Sequence, residues 1–338
     1  MRNNRLRCVL LAVGVIAGGL ALPRPEAVAA QPKPVILNHL TAPAGIGEYE
    51  WGLAVDRILG KYSHWLTQRS QPTQGYIFNL RTVLDSPDRW NILVFNIDPV
   101  TPWLAAKRQP PFENGMGKLE IRGLMNATWP IWNLMTRDPA IKSLGDLPGH
   151  RVALGPKAGT ATVMMEETLK AAGVFDKVTL QYLSFADITN GMLDGTIDVG
   201  LANLWYNPAA NKIGPTQGMI NLEAAGKGFH YVSMSRQVLD KTRNERGVPY
   251  KILTIPAKTA PLQTGELITF ANPDYVGVAK EFPEEQAYEY VKQVISQMAE
   301  VNQSGGLGAL FTPQFLPFGI DNLHPGAVRA YRESGLVK

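Results

Sequence analysis

Apolar and polar positions alternate along the chain on two periods. Val35-Ile36-Leu37 reads as a buried strand that runs into the loop Thr41-Ala42-Pro43-Ala44-Gly45-Ile46-Gly47. From Glu48 on, Trp51, Val55, Ile58 and Leu59 recur at i, i+4, i+7 and i+8, one face of a helix. A strand near His64 to Thr67 leads through Gln74-Gly75 into a helix carrying Phe78, Leu80 and Leu84. Ile92 to Phe95 is a third apolar strand, and Asn96-Ile97-Asp98-Pro99 follows where a helix can start. Leu119 to Met125 and Ile131 to Met135 predict two strands with little helix between them.

Alternation restarts after the turn Leu144 to Gly149. Val152 to Leu154 predicts a strand, Gly155 to Thr160 a loop, Thr162 to Ala172 a helix and Val178 to Tyr182 a strand. A short helix through Ile188, Met192 and Leu193 precedes a strand from Ile197 to Ala202. The unit strand–loop–helix–strand–helix–strand thus occurs twice, as a weak internal echo. Strands alternating with helices imply a mostly parallel sheet, here in two α/β lobes. Leu267 to Phe270 predicts a further strand, Pro283 to Gln303 one long helix, and Pro325 the start of a terminal helix.

The 338 residues, 45% of them apolar, suffice for two lobes with their own cores. The formal charge is +4. Much of it sits in the opening segment: basic Arg2, Arg5 and Arg7, an uncharged run of 14 residues from Val9 to Leu22, then Ala27-Val28-Ala29-Ala30. A basic start, a short apolar centre and a small-residue end predict a secretory signal peptide over residues 1–30, with an uncleaved anchor as the alternative. Cleavage after Ala30 removes four arginines and Glu26, lowering the charge from +4 to +1. No basic block longer than two residues remains, so nucleic acid is not an expected partner. Cys8 is the one cysteine and lies in that segment, which excludes an intramolecular disulfide and a cysteine-held zinc.

Ligands in parallel α/β sheets bind at the carboxyl ends of strands, against helix N-termini. Two glycine loops stand at such places, Ala44 to Tyr49 and Gly155 to Thr162. Each is also readable as an ordinary strand-to-helix turn. Backbone amides, Thr160 and Thr162 there suit a carboxylate, with Lys157 beside them. Tyr49, Tyr76, Trp103, Trp132, Trp205 and Tyr206 fall at strand ends and loops, where rings can wall a pocket or simply pack. The five histidines are scattered. No His-Glu-x-x-His pattern and no Gly-x-Ser-x-Gly turn occurs, so neither enzyme activity nor a metal is expected.

The whole mature chain resembles the TAXI family of solute-binding proteins, receptors of a subset of TRAP transporters. The matching segments are Gly75-Tyr76-Ile77-Phe78-Asn79-Leu80, Lys142 to Ala153, Gly155-Pro156-Lys157-Ala158-Gly159-Thr160, Leu193-Asp194-Gly195-Thr196-Ile197-Asp198 and Leu323-His324-Pro325-Gly326-Ala327. The resemblance implies a type II periplasmic binding fold: two α/β lobes joined by crossing strands, with a ligand cleft between them. It implies a periplasmic receptor that captures a small organic acid and delivers it to TRAP membrane subunits, with no cofactor and as a monomer. The lobes would be 31–138 with 268–338, and 139–267, the crossings lying near Leu134 to Thr136 and Leu267 to Ala271.

Carried over by position, the ligand loops are Gly45 to Tyr49 (with Gly47), Gly75 to Asn79, Asn96 to Asp98, Gly159 to Thr162 and Asn203 to Asn207. In that reading Gly159, Thr160 and Thr162 hold a carboxylate and Lys157 or Arg81 supplies charge. Asn79, Asn96 and Asn203 orient polar groups, and Tyr49, Tyr76, Trp205 and Tyr206 wall the cleft. The chain departs from the family at Tyr76, where a serine is usual, at Glu48, and at Ser86 to Trp90, which points to a more aromatic pocket. A periplasmic sensor subunit for a kinase and an α/β hydrolase are the alternative functions.

Overall fold

A computed structural model describes residues 32–44, 47–157, 159–303 and 305–338. The expected leader 1–30 and Gly45 lie outside the described residues. Residues from Pro34 to Lys338 form one compact unit.

The chain opens with β1 (Val35–Leu40), α1 (Gly47–Tyr62), β2 (Leu66–Gln71), α2 (Tyr76–Leu84), β3 (Leu93–Ile97), α3 (Val100–Ala106) and β4 (Ile121–Thr128). It continues through β5 (Pro130–Thr136), β6 (Arg151–Leu154), α4 (Thr160–Ala171), β7 (Thr179–Tyr182), α5 (Phe185–Asp194) and β8 (Val199–Asn207). Next come β9 (Lys212–Pro215), α6 (Gln217–Ala224), β10 (His230–Tyr231), α7 (Arg236–Glu245), β11 (Lys251–Ile255) and β12 (Leu267–Ala271). The last elements are β13 (Asp274–Ala279), α8 (Glu284–Ser296), α9 (Met298–Val301), α10 (Gly305–Gly308) and α11 (Pro325–Glu333).

The strands form two sheets. A five-stranded sheet runs β2-β1-β3-β13-β4, and an eight-stranded sheet runs β11-β12-β5-β8-β6-β7 with β10 on β5 and β9 on β8. The βαβ connections give parallel pairing of β1 with β2 and β3, and of β6 with β7 and β8. The remaining pairs are antiparallel. The fold is therefore α/β with a mixed rather than a wholly parallel character.

The chain changes sheets twice, side by side. Only Trp129 separates β4 from β5, and only Asn272 and Pro273 separate β12 from β13. The two passages are tied: Asn272 N donates to Pro130 O at 3.1 Å, and Thr128 pairs with Asp274. The sheet changes thus fall at 129 and 272–273, slightly displaced from the expected crossings near 134–136 and 267–271.

Several family-like segments turn out to shape the backbone. Gly195 closes α5 in the left-handed region at φ 81°, where glycine alone is unstrained. Asp198 then accepts from the Arg151 backbone N–H at 2.8 Å and meets its guanidinium at 2.5 Å. At the C-terminus, His324 Nε2 lies 2.9 Å from Phe282 O, and its Nδ1 accepts from Gly326 N at 3.2 Å. A Cβ on Gly326 would sit 2.2 Å from Glu284 O, so this glycine lets α11 press against α8.

Other differences have local causes. β2 runs to Gln71 because its polar outer residues suit the edge of a sheet. The expected long helix from Pro283 stops at Ser296, where Gln297 leaves helical geometry at φ −110°, ψ 28°.

Candidate functional site

Buried polar side chains collect where β1, β3 and β6 end and the two passages between sheets run. Glu48 comes from the first turn of α1, where the helix dipole favours an acid. Asp98 follows β3, and its Oδ1 accepts from Thr101 N and Thr101 Oγ1 at 2.8 and 2.6 Å. Asp274 opens β13. Glu48, Asp98 and Asp274 expose 3%, 0% and 0% of their surfaces, so all three carboxyls are inside the protein.

Hydroxyls and one amide link them. Tyr76 Oη lies 2.6 Å from Asp274 Oδ2 and 3.2 Å from Glu48 Oε1. Thr128 Oγ1 lies 2.9 Å from the same Asp274 oxygen and 3.2 Å from the same Glu48 oxygen. Asn272 Nδ2 donates to Asp98 Oδ2 at 2.8 Å and to Asp274 Oδ1 at 3.3 Å. The Thr160 hydroxyl, at the start of α4, also faces Asp98. The cluster therefore draws on both sheets and on the passage between them.

Electrostatics follow from this burial. Burial raises the Glu48 carboxyl above its ordinary range, against its own backbone amide and the Tyr76 and Thr128 hydroxyls. Burial raises Asp98 too, against Thr101, Thr160 and Asn272. Asp274 is pushed well up, first by burial and then by the charges of Asp98 and Glu48. Tyr76 is driven up by burial and by the Asp274 and Glu48 charges, so its phenol remains a donor. Among the described residues, no lysine, arginine or histidine bonds or pairs with any of the three carboxyls.

The N-terminus of α4 adjoins the cluster. Its cap, Gly159, supplies no side chain, and the first turn of any helix leaves amides without intrahelical partners. Thr160 is 7% and Thr162 0% exposed, and Thr162 Oγ1 has no hydrogen-bond partner. Gly155 lies against Thr162 and the Phe185 ring: a Cβ there would come within 3.0 and 2.9 Å of them. Phe185 packs on Trp132 at 5.3 Å between ring centroids.

The other expected residues divide into groups. Gly75 begins α2 at φ 104°, a conformation that favours glycine, and so brings Tyr76 to the cluster. Asn79 is fully buried and ties the chain locally. Its Nδ2 faces the carbonyls of Leu40, Thr41 and Asn96 at 3.2, 2.8 and 2.9 Å. Asn96 Oδ1 meets His39 Nε2 at 2.7 Å, and burial lowers that imidazole to about 4. Gly47 starts α1 against Leu307, and Tyr49 is half-buried.

Arg81 and Lys157 are both exposed, with Lys157 Nζ over the Tyr182 ring at 5.6 Å. Neither bonds to the carboxyl cluster. Asn203 pairs with Trp132 across β8 and β5, and its carbonyl accepts from Thr216 Oγ1 at 2.9 Å. Trp205 and Tyr206 are half-buried beside the core, with Tyr206 Oη donating to Asn211 Oδ1 at 3.1 Å.

Sequence reasoning missed Thr101, Thr128, Asn272, Asp274 and Phe185. Glu48 was visible only as an unusual acid in a glycine loop. Among the described residues no cluster of His, Cys, Asp or Glu is disposed to hold a metal ion, and no helix is long and apolar enough to cross a membrane.

Two α/β sheets exchanging the chain twice, with a polar site at strand carboxyl ends beside those passages, define a type II periplasmic binding fold. The sequence pattern of the NMT1-like family matches residues 40–335, so the chain belongs to that family of periplasmic binding proteins. No curated protein matches it.

Solved structures with similar arrangement include the periplasmic aliphatic sulphonate binding protein SsuA from Escherichia coli. It is 14% identical, with 89% of this chain and 83% of that one covered and a TM-score of 0.42. MatC from Rhodopseudomonas palustris with bound malate is 12% identical over 90% and 97%, with a TM-score of 0.48. A TctC solute-binding protein from Polaromonas is 15% identical over 91% and 98%, with a TM-score of 0.47.

Proposed function

We propose that this chain is a periplasmic receptor that captures a small organic acid between its two lobes and hands it to a TRAP-type permease. The lobes are taken as 31–138 with 268–338, and 139–267, following the leader 1–30. The observation behind this reading is the buried polar site itself. Asp98 beyond β3 faces Thr160 at the start of α4, on the other sheet, and Asn272 in the passage between sheets bonds the same carboxyl. Such a site is assembled only when the two halves are together.

The acid group sits at the α4 N-terminus. Backbone amides there carry partial positive charge, and Thr160 and Thr162 add hydroxyls. A Thr162 hydroxyl buried without a partner is a cost that a bound carboxylate oxygen removes. Trp132 and Phe185 form the neighbouring apolar wall. Ligand contacts on both sides favour the closed arrangement over an open one.

Replacing Thr160 and Thr162 together by valine preserves volume and removes both hydroxyls. Calorimetric titration with the solute identified by thermal-shift screening is expected to show at least about a tenfold weaker affinity, from two lost charge-assisted bonds. Unchanged affinity overturns the placement. Delivery is tested by uptake into vesicles carrying a TRAP permease: transport requires added receptor if the partner is right and is indifferent to it otherwise.

A further inference from the structure

We infer that the ligand carries a cationic nitrogen, an organic ammonium, and that Glu48, Asp98 and Asp274 are its counter-charges. The inference rests on the receptor reading and concerns the same site.

Donor supply is the first argument. Tyr76 and Thr128 each own a single hydroxyl hydrogen, yet each lies within hydrogen-bond distance of both Glu48 and Asp274. With the carboxyls ionised, two hydrogens serve four contacts, so two contacts lack one; a proton on a carboxyl supplies one more. Acceptors remain over besides. Glu48 Oε2 and Asn272 Oδ1 are buried and have no partner, on residues 3% and 1% exposed. The Asn272 oxygen is set beside the cluster by its own amide nitrogen, which bonds Asp98 and Asp274.

Charge is the second argument. Several acids elsewhere are matched with bases: Asp198 with Arg151, Glu285 with Arg329, Glu167 with Lys170. At this site, where burial makes an uncompensated carboxylate most costly, none of the described bases takes part. A partner that keeps these carboxyls ionised brings positive charge and several N–H donors. An ammonium brings both, with three hydrogens and no acceptor. A metal ion is the poorer occupant, since no described cluster has metal-ligand disposition. Thr160 faces Asp98 from the α4 N-terminus, so acid-binding and amine-binding groups are neighbours, and one short molecule can engage both.

Matched probes separate the outcomes. The full mature chain is titrated with butyrate, 4-aminobutyrate, butylamine and putrescine, with glutarate against glutamate, and with phenylacetate against phenethylamine, by thermal shift and then calorimetry. At least one nitrogen-bearing member is expected to bind about tenfold or more tightly than its nitrogen-free partner. Isosteric Glu48→Gln and Asp274→Asn are each expected to erase that preference while keeping a cooperative melt. If nitrogen-free acids bind as well as or better than their amine partners, the inference fails and the receptor reading stands. The inference also fails if the preference survives both substitutions. If no probe of any kind binds, the receptor reading fails and takes the inference with it.

Discussion

Thr128→Val tests the physical account of the cluster without altering its shape, because valine replaces the hydroxyl by a methyl of similar size. Thr128 is 1% exposed, and its hydroxyl stands 2.9 Å from Asp274 and 3.2 Å from Glu48. A hydrogen bond to a charged group is worth about 1.5–3 kcal/mol net, and one between neutral groups about 0.5–1.5 kcal/mol. The cost of the substitution should therefore depend on the ionisation of its partners. Those carboxyls are already raised by burial, and the Thr128 hydroxyl opposes the rise. Removing it raises them further. A carboxyl raised in the folded state holds its stability below its unfolded value and loses it as pH climbs. The penalty should accordingly grow with pH.

Urea unfolding at pH 5 and pH 8 measures this. The expected loss is about 1 kcal/mol at the lower pH and about 2–3 kcal/mol at the higher one. In an Asp274→Asn background the pH dependence should shrink, with a coupling of about 0.5–2 kcal/mol between the two sites. An identical penalty at both pH values and in both backgrounds refutes the reasoning.

Other substitutions test other parts of the structure. Asp274→Asn alone should stabilise the ligand-free protein relative to the parent at pH 8 and gain little at pH 5. The reason is that the parent carboxyl, raised by burial and by Asp98 and Glu48, loses stability as pH rises; melting temperatures at the two pH values check it. Gly326→Ala forces a methyl against the Glu284 carbonyl and should cost about 2–3 kcal/mol by urea unfolding, leaving ligand affinity in the closed site unaltered. Asn79→Leu strands three carbonyls at the ends of β1 and β3 and should cost about 2–4 kcal/mol, whereas a surface change such as Arg81→Gln should stay within about 0.5 kcal/mol.

What the sequence displayed and what it hid have physical causes. β3 and β5 were visible as apolar runs because both faces of each are buried. α1 was visible because one face alone packs on the core, giving Trp51, Val55, Ile58 and Leu59 their spacing. β13 was hidden: it opens on Asp274, carries Gly277, and looks like a loop after Asn272-Pro273. Missing that strand meant missing the second carboxyl beside Tyr76. β8 extends past Ala202 through Asn203 and Asn207, polar residues whose pairing with β5 and β9 no local pattern reveals. The glycine loops were legible as strand-to-helix turns, since backbone conformation and helix starts are local properties. The charge of the site was not local. Glu48, Asp98 and Asp274 are scattered along the chain and meet only because the chain crosses between sheets twice, so no local pattern shows that they lie together.

Native mass spectrometry of the protein purified from its own cells without denaturation tests the central claim most directly, because it weighs the chain together with any small molecule it retains. The account predicts one bound small molecule containing both an acid group and a basic nitrogen, lost on mild unfolding and absent from the Glu48→Gln, Asp274→Asn double variant. A bare chain that remains bare, and that neither acids nor amines stabilise against heat, contradicts it.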